Sequence, residues 1–275
     1  FMLNNIELYL TCSVGIALVP EDVEQVYDLL MNAETAMANA KRGGGNGQRF
    51  YLREMNATSA ERIAMESELR HAVERDELFL QYQPCVDATT LNTLGVEALV
   101  RWRHPERGLI PPDRFIPIAD ESGLIVDIGE WGLRKACRQA RAWHHQGYAD
   151  LSISVNVSAV QFAQPRLLDV VSRALTDSGL SPQALTLEIT ESAAMRDAES
   201  AIGMLRALKH MGVKISIDDF GTGYSSLSYL RRFPIDILKI DKSFVRTLGV
   251  NDEDTAIVRA IMALAKSLRL MTIAE

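Results

Sequence analysis

The feature that most restricts the fold is a recurring strand-like run with one apolar face and one polar face ending in a ligand-type side chain. Val213, Ile215 and Ile217 alternate with Lys214, Ser216 and Asp218. Leu185, Leu187 and Ile189 alternate with Thr186, Glu188 and Thr190, and residues 151–157 alternate apolar residues with Ser152, Ser154 and Asn156. A period of two marks strands whose two faces meet unlike surroundings. Parity also puts Glu97 and Arg101 on one face, sets Lys239 opposite Leu238 and Ile240, and leaves Glu275 to close the last run. The runs near 77–83, 93–102, 151–157, 185–190, 213–218, 236–240 and 269–275 alternate with helical segments. One helical stripe is Leu133, Ala136, Cys137 and Ala140; another is Ile257, Ile261, Leu264 and Leu268. Gly147, Gly179 and Gly212 stand where helices should stop. This order predicts βα units around a parallel sheet. In a (β/α)8 barrel the strand ends converge on one rim, where such barrels place their active sites. Four carboxylates, one Asn, one Lys and one Arg at corresponding strand ends therefore point to a shared site rather than to separate structural roles.

The strand that ends in Asp218 and Asp219 carries the sharpest signal. Two adjacent carboxylates at the end of a buried strand are costly unless something positive meets them. A divalent cation is one answer; a solvated loop with an N-cap is the other. Gly221 and Gly223 permit a tight loop before Tyr224-Ser-Ser-Leu227 opens the next helical pattern. A net charge of −7 over 275 residues argues against broad attraction to DNA or to an anionic membrane, while leaving room for a local basic pocket. Cys12, Cys85 and Cys137 have no metal-ligand spacing and read as reduced, buried thiols of a cytoplasmic chain. No run is long and apolar enough to span a membrane, and no signal peptide is present.

The N-terminal stretch has a different rhythm. Residues 8–18 alternate loosely, Pro20-Glu-Asp22 reads as a turn, and Val26, Leu29, Leu30, Ala33, Met37 and Ala40 recur at helical spacing. Gly43 to Gly47 should end that helix, and 48–52 reads as a short strand. Arg53 to Arg75 is a polar helical stretch with a narrow stripe of Met65, Leu69, Ala72 and Val73, read as a linker helix; Thr58 with Glu61 is a candidate capping box. The organisation expected is 1–52, a linker at 53–76, and a barrel over 77–275.

Glu97-Ala-Leu-Val-Arg-Trp-Arg-His-Pro105 resembles the signature of the EAL family of cyclic di-GMP phosphodiesterases. Tyr82-Gln-Pro84, Phe115-Ile-Pro-Ile-Ala119, Asn156-Val-Ser158, Glu188-Ile-Thr-Glu191, Asp218-Asp-Phe-Gly-Thr-Gly223, Lys239-Ile-Asp241 and Ala274-Glu275 agree with it. The resemblance covers about residues 60 to 275. Residues 1–52 resemble the C-terminal part of a GGDEF domain through Ser13-Val-Gly-Ile-Ala17, Pro20-Glu-Asp22 and Ala33 to Lys41, although Glu34 and Asn39 replace that family's usual Asp and Tyr. The loop that names that family would lie upstream, so no cyclase activity is assigned. The fold implied is α/β: a modified (β/α)8 TIM-like barrel with an antiparallel first strand, lacking its last strand here, behind a partial α+β GGDEF-type segment.

What the resemblance implies for the site is specific. Glu97, Asn156, Glu188, Asp218 and Glu275 would hold two divalent cations, Mg2+ or Mn2+, with Asp219 reaching the second. Glu97, Lys239, Asp219 and Glu191 would serve catalysis, Glu191 by holding the loop at 219–226. Gln83, Leu99 and Arg101 would contact the dinucleotide, Arg101 through a phosphate. Alternatively Arg101 forms a surface ion pair and Glu191 is a helix N-terminal charge. His104, His144 and His145 read as packing or surface residues. The implied activity is hydrolysis of cyclic di-GMP to pGpG in bacterial second-messenger signalling. The competing classes are a cyclic di-GMP receptor without turnover and an unrelated acidic-site barrel enzyme. Implied partners are cyclic di-GMP, a second copy through the barrel or linker helix, and upstream sensory domains that would anchor the parent protein to a membrane if it is anchored. The run stops at the seventh strand, whereas the family carries an eighth strand and a further Glu and Gln, so this stretch is expected to be less stable than a longer one.

Overall fold

The structure, a computed structural model, describes residues 2–3, 6–7, 11–19, 26–42, 45–222 and 227–275. It divides into two compact units, Phe1–Glu68 and Leu69–Glu275. In the first unit β1 (Met2–Leu3) pairs antiparallel with β2 (Ile6–Glu7). Strands β3 (Val14–Ile16) and β4 (Gln48–Phe50) pair in parallel, and the crossover that parallel pairing demands is α1 (Val26–Arg42). A side chain at Gly15 would collide with the α1 backbone at Ala33 and Met37, so glycine is what lets strand and helix touch. Gly45, at φ +68°, donates its amide to the Ala40 carbonyl and takes the chain out of the helix. The turn expected at Pro20 lies outside the described residues. Helix α2 (Arg53–Arg70) begins five residues before Thr58, so Thr58 and Glu61 sit inside it rather than at its start, where the capping box was expected.

The second unit opens with β5 (Leu78–Val86), β6 (Thr93–His104) and β7 (Gly108–Ile110). Helices α3 (Pro112–Ser122) and α4 (Ile125–His145) lead to β8 (Ser152–Val157). Then come α5 (Ala159–Phe162), α6 (Arg166–Ser178), β9 (Leu185–Thr190), α7 (Glu191–Met195) and α8 (Ala198–His210). The chain continues through β10 (Lys214–Phe220), α9 (Leu227–Leu230), β11 (Ile237–Ile240), α10 (Lys242–Val245), α11 (Asp252–Leu268) and β12 (Met271–Ala274). The strands pair in the order β12-β11-β10-β9-β8-β6-β5, with β7 beside β6. Strands β5 and β6 are antiparallel, and the other neighbours on that path are parallel. The sheet curls without closing, as part of a TIM-like barrel. Every expected run is present; β7, only three residues long, was not foreseen.

Alternation decides which face is which. Ile153, Val155, Leu185, Leu187, Ile189, Ile215, Ile217 and Leu238 point outward and are buried under Leu133, Ala136, Cys137, Val171, Leu205 and Leu208 of the helices. Burial of this apolar surface is the main force holding the unit together. The inner face is left to Ser154, Thr186, Glu188, Ser216, Asp218 and Lys239. The cysteines are free, but Cys12 is exposed and Cys85 half-buried; only Cys137 is buried as expected, with its thiol pushed up to about 12 by that burial. Cys12 sits on a small segment with too little core to cover it. Among the described residues no helix is long and apolar enough to cross a membrane.

Candidate active site

Register sets the rows of the inner face. Asn156 and Ser216 flank Glu188, Asp218 stands beside Thr190, and Gln83 beside Glu97. The curl then brings distant strands together. The Lys239 ammonium on β11 donates to Glu188 Oε2 on β9 at 2.7 Å, to Glu97 Oε2 on β6 at 3.1 Å and to Asp218 Oδ2 on β10 at 3.3 Å. Glu275 Oε1 lies 2.5 Å from the same nitrogen. Asn156 Nδ2 donates to Glu97 Oε1 at 2.7 Å. Glu97, Asn156, Glu188, Asp218, Lys239 and Glu275 thus form one cluster.

Its electrostatics follow from depth. Glu188 and Lys239 are each 2 % exposed. Burial pushes Glu188 up to about 7, and the charges of Glu97 and Asp218 add to the rise against the pull of Lys239. Burial also works against the Lys239 charge, but Glu188, Asp218 and Glu97 outweigh it and hold the ammonium well above the ordinary lysine range. Asp219 is pushed up to about 6, first by burial and then by the Asp218 and Asp241 charges. Asp219 hydrogen-bonds to Asp241, which the Ser243 hydroxyl and then the Ser243 amide hold low. Asp219 also has φ +54°, a left-handed conformation that Asp tolerates better than most residues, and its amide donates to Asp218 Oδ1 at 2.9 Å.

Asp218, Asp219 and Glu275 each offer an oxygen within 4.8 Å of the others. Hard carboxylate oxygens without Cys or His fit Mg2+ or Mn2+, so this acidic cluster could hold a divalent cation. Behind it, the Gly221 amide donates to Glu191 Oε2 at 3.0 Å, and Glu191 is buried. Gly221, at φ +101°, lies against Phe244 and Ile261 with little room for a side chain. Residues 223–226 of the loop lie outside the described residues.

The remaining candidates lie to one side. Arg101 Nε donates to Gln81 at 2.8 Å and Nη1 to the Val100 carbonyl at 2.9 Å. Leu99, Arg101 and Asn156 line a largely apolar cavity of about 410 Å3 that reaches between the sheet and helices α3 and α4. Gln83 is exposed, across the strand pair from Glu97, and does not line this cavity. Three residues escaped the sequence reading. Gln81 shares the face of Arg101 by the same parity that placed Gln83. Asp241 lay in a motif without a role. Asp120, which follows Phe115-Ile-Pro-Ile-Ala119, lines the cavity with a buried Oδ1 that has no hydrogen-bond partner. His104 is buried as the acceptor for the Glu106 and Arg107 amides, and His144 bonds the Leu151 carbonyl; neither ring is part of the cluster.

Known proteins resemble the chain along its whole length. It is 49% identical over 275 residues to the Pseudomonas aeruginosa protein described as bifunctional diguanylate cyclase/cyclic di-GMP phosphodiesterase MucR, covering all of this chain and 40% of that one. It is 40% identical over 275 residues to the Escherichia coli cyclic di-GMP phosphodiesterase PdeR, covering all of this chain and 41% of that one. The chain therefore spans about two-fifths of the length of these relatives. The solved structure described as PaMucR phosphodiesterase, c-di-GMP complex, superposes with a TM-score of 0.75 at 53% identity, over 77% of this chain and 85% of that one. Residues 1–47 match the family described as diguanylate cyclase, GGDEF domain. Residues 66–275, which carry the curled sheet and its acidic rim, match the family described as EAL domain, and the chain belongs to that family.

Proposed function

We propose that the chain hydrolyses cyclic di-GMP to linear pGpG. The observation that carries this reading is the convergence of Glu97, Asn156, Glu188, Asp218 and Glu275 on one point beside a cavity edged by Arg101. In the reaction a water oxygen bonds to phosphorus, one ester P–O bond breaks, and the leaving 3′ oxygen takes a proton. Glu97, Asn156, Glu188, Asp218 and Glu275 would hold two cations, Mg2+ or Mn2+, with Asp219 at the second. When bound, these supply Lewis acidity and lower the pKa of a water. Lys239 balances the carboxylate charge and orients that water. Glu191 keeps the Gly221 turn, and with it Asp219, in place. Arg101, pre-set by Gln81, takes a phosphate oxygen, Leu99 borders the ligand in the cavity, and Gln83 would meet it from outside the cavity, beside Glu97. The unpartnered Asp120 oxygen is suited to the N–H donors of a guanine edge. On this reading residues 1–52 are GGDEF-like, 53–76 form a linker that is helical over Arg53–Arg70, and 77–275 form the phosphodiesterase, which pairs with a second copy through the barrel or linker.

The test is to incubate the full-length protein with cyclic di-GMP and Mg2+ or Mn2+ and to separate the products. pGpG should form, cease with chelator and return with metal. Undiminished turnover in excess chelator would exclude the cation role; tight binding without product would make the chain a receptor.

A further inference from the structure

We propose that the Lys239 ammonium is a built-in counter-ion that draws on two of the carboxylates that would hold the divalent cation, so that each displaces the other. The inference rests on reading the rim as a cation site. Lys239 Nζ lies 2.5 Å from Glu275 and 3.3 Å from Asp218. Those two residues also supply two of the three carboxylates in the acidic cluster with Asp219. A divalent cation there takes lone pairs from both and repels the ammonium beside it. Lys239 also reaches Glu188 at 2.7 Å and Glu97 at 3.1 Å. An ammonium has three protons, and four carboxylates lie within its reach. The side chain is only 2 % exposed, which limits where it can swing. On binding of a cation at Asp218, Asp219 and Glu275 it therefore gives up Glu275 and Asp218. Without the ammonium, the carboxylates of Glu97, Glu188, Asp218 and Glu275 would face one another with no internal positive charge, which is strongly unfavourable for partly buried ions. The lysine thus lets the rim fold before it meets a metal, at the expense of metal affinity.

The test uses the full-length protein and has readouts independent of turnover. Lys239→Met keeps most of the length of the side chain and removes its charge. In chelator it should melt below the wild type, and Mg2+ or Mn2+ should raise its melting temperature more than that of the wild type. Calorimetry should show the variant binding the cation roughly tenfold or more tighter. Equal or weaker binding by the variant, when the wild type binds, overturns the displacement; a wild type that binds no cation overturns the cation site itself. Should Lys239→Met fail to fold in chelator, Lys239→Gln and the wild type remain. In wild-type protein labelled with 15N-lysine, the slowly exchanging ammonium signal of Lys239 should move on saturation with Mg2+, and a signal that stays in place overturns the proposal.

Discussion

The acidic rim and the cavity beside Arg101 share strands β6 and β8, yet they handle burial in opposite ways. The rim buries charge and matches part of it internally: one ammonium reaches four carboxylates, three of them on β6, β9 and β10 and the fourth just after β12. The cavity buries little charge and leaves one polar atom, Asp120 Oδ1, without a partner. A cluster tied together through one ammonium holds its geometry, as a site for ionic chemistry requires. An apolar hollow with a single unanswered acceptor is instead shaped for the bulk and edge of an incoming ligand. Chemistry and recognition should therefore be separable by mutation.

The largest effect should come from the rim. Asp218→Asn keeps the volume of a ligand side chain and removes its charge, so turnover should fall by orders of magnitude. Binding of cyclic di-GMP without turnover, followed by calorimetry, should survive, because the cavity is untouched. If binding collapses with turnover, the two regions are not independent. On the cavity side, Arg101→Ala removes a charge-assisted contact of about 1.5–3 kcal/mol, or roughly 10- to 150-fold in affinity. The loss should appear in binding and KM before it appears in kcat, and unchanged affinity would take Arg101 out of ligand recognition.

The smallest and most diagnostic effect is the pH dependence of the rim. Glu188 and Asp219 ionise at about 7 and about 6, both above ordinary carboxylates, because they are buried among other negative groups. The folded state holds these protons more tightly than the unfolded chain. Their contribution to metal-free stability is therefore greatest in acid and is lost as pH rises through those values. A cation needs the ionised forms, so the sign reverses for binding: affinity for Mg2+ or Mn2+ should rise from about pH 6 to about pH 7 and then level off, by at most roughly tenfold per pH unit for each proton displaced. On the cavity side the titrating group is Asp120, which burial pushes up, so ligand affinity at saturating metal should follow that carboxyl rather than the rim. A parallel rise in both would merge the two regions into one titrating unit.

Much of the rim was legible because parity is a local rule. Glu188, Asp218 and Lys239 could each be assigned to the inner face from their immediate neighbours, and the glycines at 147, 179 and 212 marked the ends of helices. The common reach of Lys239 was not legible, since it depends on how far the sheet curls. Nor was the Gln81–Arg101 bond, although it needs only the register of β5 on β6, because register is set by the whole hairpin. Asp120 was missed because an unpartnered atom is a property of the packed surroundings rather than of the residue. Thr58 misled in the opposite direction: its spacing from Glu61 was right for a cap, but the helix had already begun.

The antiparallel start of the sheet also bears on the order in which the rim is made. Strands β5 and β6 are joined by a short turn, in which Asp87 accepts the amides of Thr89 and Thr90, so their pairing closes only a small loop. Every later strand on the path joins across a helical crossover, and Lys239 meets Glu97 across 142 residues of chain. Loop closure makes such distant contacts slow to form. Synthesis delivers Glu97, Glu188 and Asp218 before the lysine that bridges them. The acidic rim is thus expected to become native after the β5–β6 pair, and a nascent chain carries its like charges unmatched until β11 has left the ribosome.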